Sequence, residues 1–293
     1  MSISNTKDLL KKATIGKYAV GAFNITSIIQ MVAVVEAAEE LNSPVIIQTS
    51  VSPSKQLTPE LLGSVFKFLA SNATIPVAIQ LDHSTDVGFC KRCIDAGYTS
   101  IMIDASKQNF EENVRQTAYV VQYAHRRGNV SVEGELGTVG GVEDQVRVVE
   151  SKVELCDPRM AVKFVEQTGL DNLAPAIGTA HGIYKSQNPK IDIERLKKIS
   201  ELVNGNSIIS PLVVHGGTGL SEQIVKDLIL VGGSKFNVST ELKYAWIDAA
   251  EEYIKNTGST YNPVKMNQAQ IDAAKKVVVK WIEILGCSGK VKR

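Results

Sequence analysis

Three of the four histidines in this chain, His83, His181 and His215, each stand just beyond a short apolar run of β type. Three neutral imidazoles arriving from three strands suit a tetrahedral Zn2+ that keeps its fourth position open for chemistry. Their spacing along the chain is far too wide for a zinc finger and natural for ligands on separate strands. Asp104 and Glu135 close two more runs of this kind and are candidates for outer partners or alternate ligands. Taken singly, each is equally well read as a structural hydrogen-bond acceptor. The fourth histidine, His125, sits in Ala124-His125-Arg126-Arg127-Gly128 at the end of a helical stretch, where its charge suits the helix dipole. It is read as structural. Small residues follow the last two runs, as Gly216-Gly217-Thr218-Gly219 and Asn237-Val238-Ser239-Thr240. Backbone N–H groups in such turns, together with hydroxyls and a following helix N-terminus, can cradle a phosphate.

For these groups to meet, the runs must belong to one sheet. Strand patterns cover residues 18–23, 44–48, 76–81, 100–103, 130–136, 172–177, 212–214 and 234–238. Helical patterns lie between them, over 27–41, 59–70, 111–127, 158–168, 192–203 and 221–231. This alternation implies parallel strands joined by crossover helices. The strand starts recur roughly every thirty residues without a linker, which reads as a single α/β domain over residues 1–293, a (β/α)8 TIM barrel. A doubly wound sheet would carry G-x-G-x-x-G after its first strand, and none is there. In a barrel the chemistry sits at the C-terminal strand ends, here Asn24, Ser50, Asp82 with His83, Asp104, Glu135, His181, His215 and Asn237. Two segments exceed the simple repeat. Residues 137–157 form a long Gly- and charge-containing connection of the kind that serves as a mobile active-site loop. Residues 266–285 form an amphipathic C-terminal helix, whose apolar face packs either on its own barrel or on a neighbouring subunit.

Composition excludes other classes. With 32 Lys+Arg against 31 Asp+Glu, the formal charge of +1 lacks the basic excess of a nucleic-acid binder. A chain that is 44% hydrophobic and 22% charged is globular rather than disordered. No apolar run approaches the ~18 residues of a membrane span, and the polar N-terminus has no signal-type apolar core, so a cytoplasmic protein is expected. Four cysteines are too few for a disulfide scaffold, and the lone Cys90-x-x-Cys93 pair reads as part of an ordinary helix.

Longer motifs then become recognisable. They are Tyr18-Ala-Val-Gly-Ala-Phe-Asn24, Leu81-Asp-His83, Ile101-Met-Ile-Asp-Ala-Ser106 and Val132-Glu-Gly-Glu-Leu-Gly-Thr-Val-Gly-Gly-Val-Glu-Asp144. Ala176-Ile-Gly-Thr-Ala-His-Gly-Ile-Tyr-Lys185, Pro211-Leu-Val-Val-His-Gly-Gly217 and Asn237-Val-Ser-Thr-Glu-Leu242 complete the set. In this order, over nearly the whole chain, they resemble the class II, zinc-dependent ketose-bisphosphate aldolases, in the branch of fructose- and tagatose-bisphosphate aldolases. The resemblance implies zinc on His83, His181 and His215, with Asp104 and Glu135 at positions that hold a second or resting metal in some members. It implies Asp82 as the acid/base at the C4 hydroxyl, and Glu143 on the loop as the carboxylate for proton exchange at the enediolate carbon. Gly182, Gly216, Gly217, Thr218, Asn237, Val238, Ser239 and Thr240 match the site of the dihydroxyacetone phosphate half, and Asn24 and Ser50 lie with the substrate. A monovalent cation, Na+ or K+, joins the phosphate site in some relatives, and the members are homodimers or homotetramers.

The implied reaction is reversible cleavage of a ketose bisphosphate, fructose 1,6-bisphosphate first and tagatose 1,6-bisphosphate next. The chemistry stands without the family: enediolate charge calls for a Lewis acid, and a carboxylate beside a ligand histidine is placed to take the hydroxyl proton. Asp82 could instead orient His83, but neighbours on a regular strand point oppositely, which favours catalysis. Three positions depart from the family pattern. Gly134 stands where Ala is usual, and Pro175 interrupts the run before Ile177. Ile271 replaces an Arg with which a neighbouring subunit holds the second phosphate in many members. A relative cleaving 5-dehydro-2-deoxygluconate 6-phosphate also lacks that Arg, and is the alternative substrate. A Schiff-base aldolase using Lys235 would not need three rim histidines. A metal-dependent barrel hydrolase would carry His-x-His after the first strand, where Asn24 stands alone.

Overall fold

The structure, a computed structural model, describes residues 2–143, 146–148, 154–182, 189–205, 210–257 and 262–291. Along the chain these form α1 (Thr6–Gly16), β1 (Val20–Asn24), α2 (Ile28–Glu40), β2 (Val45–Ser50), α3 (Val51–Leu57), α4 (Pro59–Asn72), β3 (Val77–Ser84), α5 (Val87–Asp95), β4 (Ser100–Ile103), α6 (Phe110–Arg126) and β5 (Ser131–Leu136). Then come β6 (Gly140–Glu143), β7 (Val146–Val148), α7 (Pro158–Thr168), β8 (Asn172–Pro175), β9 (Ala180–His181), α8 (Ile193–Asn204), β10 (Leu212–Val214), α9 (Glu222–Leu230), β11 (Gly233–Val238), α10 (Thr240–Thr257) and α11 (Pro263–Ile284). Eight strands close a barrel in the order β1-β11-β10-β8-β5-β4-β3-β2, all pairs parallel. The expected (β/α)8 barrel is thus the observed one.

Local chemistry starts the helices. Ser27, Asp86, Asn109, Asp157 and Ser221 each cap a helix by accepting from its first N–H groups, and Pro59 and Pro158 stand in first turns. The strands are buried on both faces, as parallel strands under helices must be. Outward residues such as Ile79, Leu81, Ile101 and Phe236 form the main core with the helices. Gly134 faces this layer. A Cβ there would meet Phe164, Leu170 and Thr117 at 3.1–3.2 Å, so the departure from Ala makes room for large neighbours on α6 and α7. Pro175 ends β8, since it offers no N–H to extend the ladder.

The barrel's N-terminal end is closed by α1. The Thr6 N–H donates to Ser100 Oγ at 2.9 Å, Thr6 Oγ1 lies 2.7 Å from Ser131 Oγ, and Asn172 Nδ2 donates to Thr6 Oγ1 at 2.7 Å. At the opposite end part of the 137–157 connection is strand, not loop: β6 pairs antiparallel with β7 and parallel with β9 in a separate three-stranded sheet. Residues 144–145 and 149–153 of that connection lie outside the described residues. The C-terminal helix begins at Pro263, and Val277, Val278, Trp281 and Ile282 are buried against the barrel's own core.

Candidate active site

The decisive local feature is an irregularity in β3. Its register with β4 runs Leu81↔Ile101 and then Ser84↔Ile103, so Asp82 and His83 together oppose a single residue. His83 has φ 46°, the left-handed region that costs an L residue about 1–2 kcal/mol. This bulge overrides the alternation expected of a regular strand and turns both side chains into one site. His83 Nε2 lies 4.0 Å from Asp82 Oδ1.

Around them the three histidine rings converge. Ring centroids are 4.5 Å apart for His83 and His215, 4.9 Å for His83 and His181, and 5.8 Å for His181 and His215. The outer nitrogens are committed. His83 Nδ1 is 3.0 Å from Asp104 Oδ2, and His215 Nε2 is 2.9 Å from Glu133 Oε1. Ionised carboxylates only accept, so both of these ring nitrogens carry the proton. The inner nitrogens, His83 Nε2 and His215 Nδ1, face each other at 2.7 Å, and with both rings neutral each presents a lone pair. Burial and the neighbouring His83 hold His215 below the ordinary imidazole range, favouring its neutral form. Two such nitrogens call for a cation between them, a proton or a metal ion, and with a His181 nitrogen also within 4.8 Å the donor set fits a metal ion. A second group, His83 with Asp104 and Glu135, also brings ligand atoms within 4.8 Å of one another. The Glu135 Oε2 atom is buried without a hydrogen-bond partner, and lies 3.7 Å from His83 Nδ1. Burial, and then the charge of Asp104, push the Glu135 carboxyl well above the usual range. For Asp104 burial acts in the same upward sense, but His83 and Ser106 outweigh it and hold the carboxyl low.

Asp82 is oriented from two sides. Asn24 Nδ2 donates to Oδ2 at 2.8 Å and Asn237 Nδ2 to Oδ1 at 3.3 Å, while Gln48 Nε2 holds the Asn24 carbonyl at 3.1 Å. Ser50 pairs in register with Asp82 on the neighbouring strand. Gly216 takes φ 70°, and a Cβ on Gly217 would lie 3.1 Å from the Asn237 carbonyl oxygen, so the turns after β10 and β11 touch. Val238 ends β11 and Thr240 opens α10, with Ser239 between them. Gly182 follows His181 with φ 89°. Glu143 ends β6, and its side chain lies outside those described. No described contact joins Thr218, Ser239 or Thr240 to the histidines; they follow β10 and β11 on the same rim.

The chain matches the family described as fructose-bisphosphate aldolase class-II over residues 4–290. It belongs to that family. The fructose-bisphosphate aldolase of Geobacillus stearothermophilus is 43% identical over 293 residues, 99% of each chain. That of Staphylococcus epidermidis is 41% identical over 297 residues, covering all of both. Among solved structures, the YdjI aldolase of Escherichia coli K12 has a TM-score of 0.86 at 31% identity, over 99% of this chain and 100% of that one. A putative fructose-1,6-bisphosphate aldolase from Coccidioides immitis has a TM-score of 0.87 at 28% identity, over 98% and 97%.

Within this class II aldolase site, sequence reasoning passed over Glu133 and Gln80 and considered Lys235 only as a nucleophile. Lys235 Nζ is fully buried and 2.7 Å from Glu133 Oε2, to which Gln80 Nε2 also donates at 2.8 Å. Burial alone would raise the Glu133 carboxyl, but the Lys235 charge and the His215 hydrogen bond outweigh it and bring it down to about 2. An ammonium committed in this way is no Schiff-base nucleophile, which requires a free amine. The missed signal was the period of two in Glu133-Gly134-Glu135, which puts both carboxylates on one face of β5.

Proposed function

We propose that this chain is a zinc-dependent aldolase that cleaves fructose 1,6-bisphosphate between C3 and C4, giving dihydroxyacetone phosphate and glyceraldehyde 3-phosphate, and catalyses the reverse condensation. The observation that carries the reading is the convergence of three imidazoles, with Asp104 and Glu133 on the outer nitrogens of His83 and His215 and Asp82 alongside. His83, His181 and His215 would hold the metal, which when bound would supply Lewis-acid stabilisation of negative charge developing on the substrate. Asp82 accepts the C4 hydroxyl proton as the C3–C4 bond breaks, the electron pair remaining on C3 and the aldehyde leaving. In condensation it returns that proton to the new alkoxide. Asn24 and Asn237 keep its oxygens in place through both directions. Glu143 moves the proton at the enediolate carbon, and closure of its loop excludes water. Asp104 and Glu135 are alternate or second-metal ligands.

Gly182, Gly216, Gly217, Thr218, Asn237, Val238, Ser239 and Thr240 bind the phosphate of the dihydroxyacetone half, with Na+ or K+ as companion, and Ser50 stands near the aldehyde half. Ile271 packs against the core instead of offering a charge, so the second phosphate takes another partner. The protein works in the cytoplasm as a homodimer or homotetramer. Support comes from the described helices, none long and apolar enough to cross a membrane. It comes also from α10, where Tyr244, Ile247 and Ile254 are 50%, 61% and 58% exposed.

The test is release of dihydroxyacetone phosphate from fructose 1,6-bisphosphate, with and without a chelator. Chelator-sensitive cleavage is expected. No cleavage by fully zinc-loaded protein refutes the substrate and directs the assay to tagatose 1,6-bisphosphate and 5-dehydro-2-deoxygluconate 6-phosphate. Undiminished activity after zinc removal refutes the mechanism. Substituting His83→Ala should abolish turnover and lower bound zinc, and unchanged zinc content would overturn the ligand assignment.

A further inference from the structure

Glu133 and Lys235 take no part in the steps above, yet they place a full ion pair in the barrel interior, both side chains at 0% exposure. Burying two such ions costs several kcal/mol each, and apolar residues of equal volume commonly serve stability as well or better. Stability does not call for this pair. Its geometry divides the carboxylate. Oε2 takes Lys235 Nζ at 2.7 Å and Gln80 Nε2 at 2.8 Å, which leaves Oε1 free to face His215 Nε2 at 2.9 Å. Lys235 stands on β11 and Glu133 on β5, so the contact crosses the barrel, and the acceptor is fixed by two strands besides its own.

We propose that Glu133, clamped by Lys235 and Gln80, is the positioning residue for the metal centre: it selects the Nε2–H tautomer of His215 and locks the ring so that Nδ1 faces the metal before the metal arrives. Asn237 Nδ2, 3.4 Å from that same Nδ1, is an amide donor and agrees with a bare nitrogen there. Asp104 plays the corresponding part for His83, but it is partly accessible and, among the described residues, no lysine or arginine clamps it. The His215 arrangement is therefore the rigid one of the two. Lys235 neutralises the carboxylate charge and keeps it from swinging toward the metal. Outer partners of metal-bound histidines typically contribute about 10–100-fold to metal affinity.

The inference rests on His215 being a ligand, and the experiment separates the two. Two double variants remove the ion pair and differ only in whether an acceptor faces His215. Glu133→Gln with Lys235→Met keeps a carbonyl oxygen there, and Glu133→Leu with Lys235→Met removes it. The Gln80 Oε1 atom, buried and unpaired, is available to accept from the side-chain amide that Glu133→Gln introduces. Zinc affinity is measured by chelator competition, and the Co2+-loaded proteins by their visible absorption. The acceptor-keeping variant should bind zinc within a few-fold of the parent. The acceptor-free variant should bind about 10–100-fold more weakly, with a shifted Co2+ band. Equal affinities and spectra for the two would overturn the proposal. Should the acceptor-free variant fail to fold, the unmutated, metal-free protein decides: with 15N-labelled histidine, His215 should show the Nε2-protonated form, and the Nδ1-protonated form would refute the tautomer assignment. Parent-like zinc affinity in His215→Ala would remove the ligand assignment itself.

Discussion

Replacing Gly141 by Ala tests whether the small sheet above the barrel holds His181, the proposed metal ligand, in place. Gly141 pairs directly with His181 in the β6–β9 ladder and has φ 97°. A Cβ there would lie 2.2 Å from the His181 carbonyl oxygen and 2.7 Å from its nitrogen. To reach ordinary contact of ~3.5 Å, the His181 backbone must retreat by about 1 Å. Gly97 supplies the control, since it shares φ 97° but has nothing within 4 Å of its Cβ position. Both substitutions therefore carry the same backbone penalty, about 1–2 kcal/mol. Only Gly141→Ala adds the collision. The two-residue β9 lies outside the closed barrel, so displacing it is cheaper than disturbing the core. The two variants should thus unfold at similar temperatures. They should differ at the metal: a ~1 Å misplacement of a group in the reaction costs up to about 10²-fold in rate. Chelator competition and turnover at saturating substrate, measured on both, decide the matter. If Gly141→Ala binds zinc and turns over like Gly97→Ala, the strand pairing does not position His181 and the reasoning fails.

Two further expectations concern groups of opposite character. Asp82→Asn should lower kcat by about 10²–10⁴-fold while leaving zinc content unchanged, because it removes the proposed proton acceptor and none of the proposed ligands. It also offers one acceptor oxygen to two amide donors, Asn24 and Asn237, so retained turnover would contradict the assigned role. The four cysteines should resist alkylation. Burial pushes Cys90, Cys156 and Cys287 up to about 12 and raises Cys93 as well, so the unreactive thiol form persists at pH 8. Iodoacetamide should modify none of them in folded protein on the timescale that modifies all four in denaturant, and the rate should still be climbing at pH 10. Rapid labelling of Cys90 or Cys93 would revive a redox reading of the pair.

The barrel was legible because its strands obey simple rules. The runs at Ser100–Ile103 and Leu212–Val214 are short, apolar and bounded, and they stand where the pattern puts them, as does the helix Pro158–Thr168 between Asp157 and Gly169. The pattern marks no helix over α1, α3 or α10. In α1 lysines and threonines crowd a short apolar face, α3 carries Pro53, and in α10 only Leu242 is buried, so little periodicity exists to detect. The strands β6, β7 and β9 were hidden for another reason: they are short, with glycines in β6, and their pairing comes from contact with each other. Most rim positions were readable from strand ends, but His181 stands on β9, outside the barrel, because β8 already stops at Pro175. The support beneath the rim was not readable, because a Glu or Gln inside a strand pattern reads as solvent-facing until the barrel closes around it.

Backbone strain at residues other than glycine follows a simple rule with one exception. Among the described residues, four other than glycine have positive φ: Lys17, Asn42, Thr58 and His83. Lys17 and Asn42 follow helices and Thr58 joins two, positions where a left-handed residue ends or starts a helix cheaply. His83 is the exception, lying inside a strand at a bulge. The unpaired Glu135 oxygen lies 3.7 Å from that same ring. The ion pair of Glu133 and Lys235 reaches it through His215. Strain, an unsatisfied acceptor and a buried charge pair thus meet at one imidazole cluster, whereas the N-terminal end, where Asn172 Oδ1 is unpaired and Lys7 pairs with Asp171, has no strained strand residue among those described. Each of these three features alone works against stability. A cation held by His83, His181 and His215 would give the inner nitrogens a common partner and would help to hold His83 in its bulge. Metal binding should therefore stabilise the folded chain through the C-terminal rim specifically, with hydrogen-exchange protection rising at β3 and β10 and unchanged at α1.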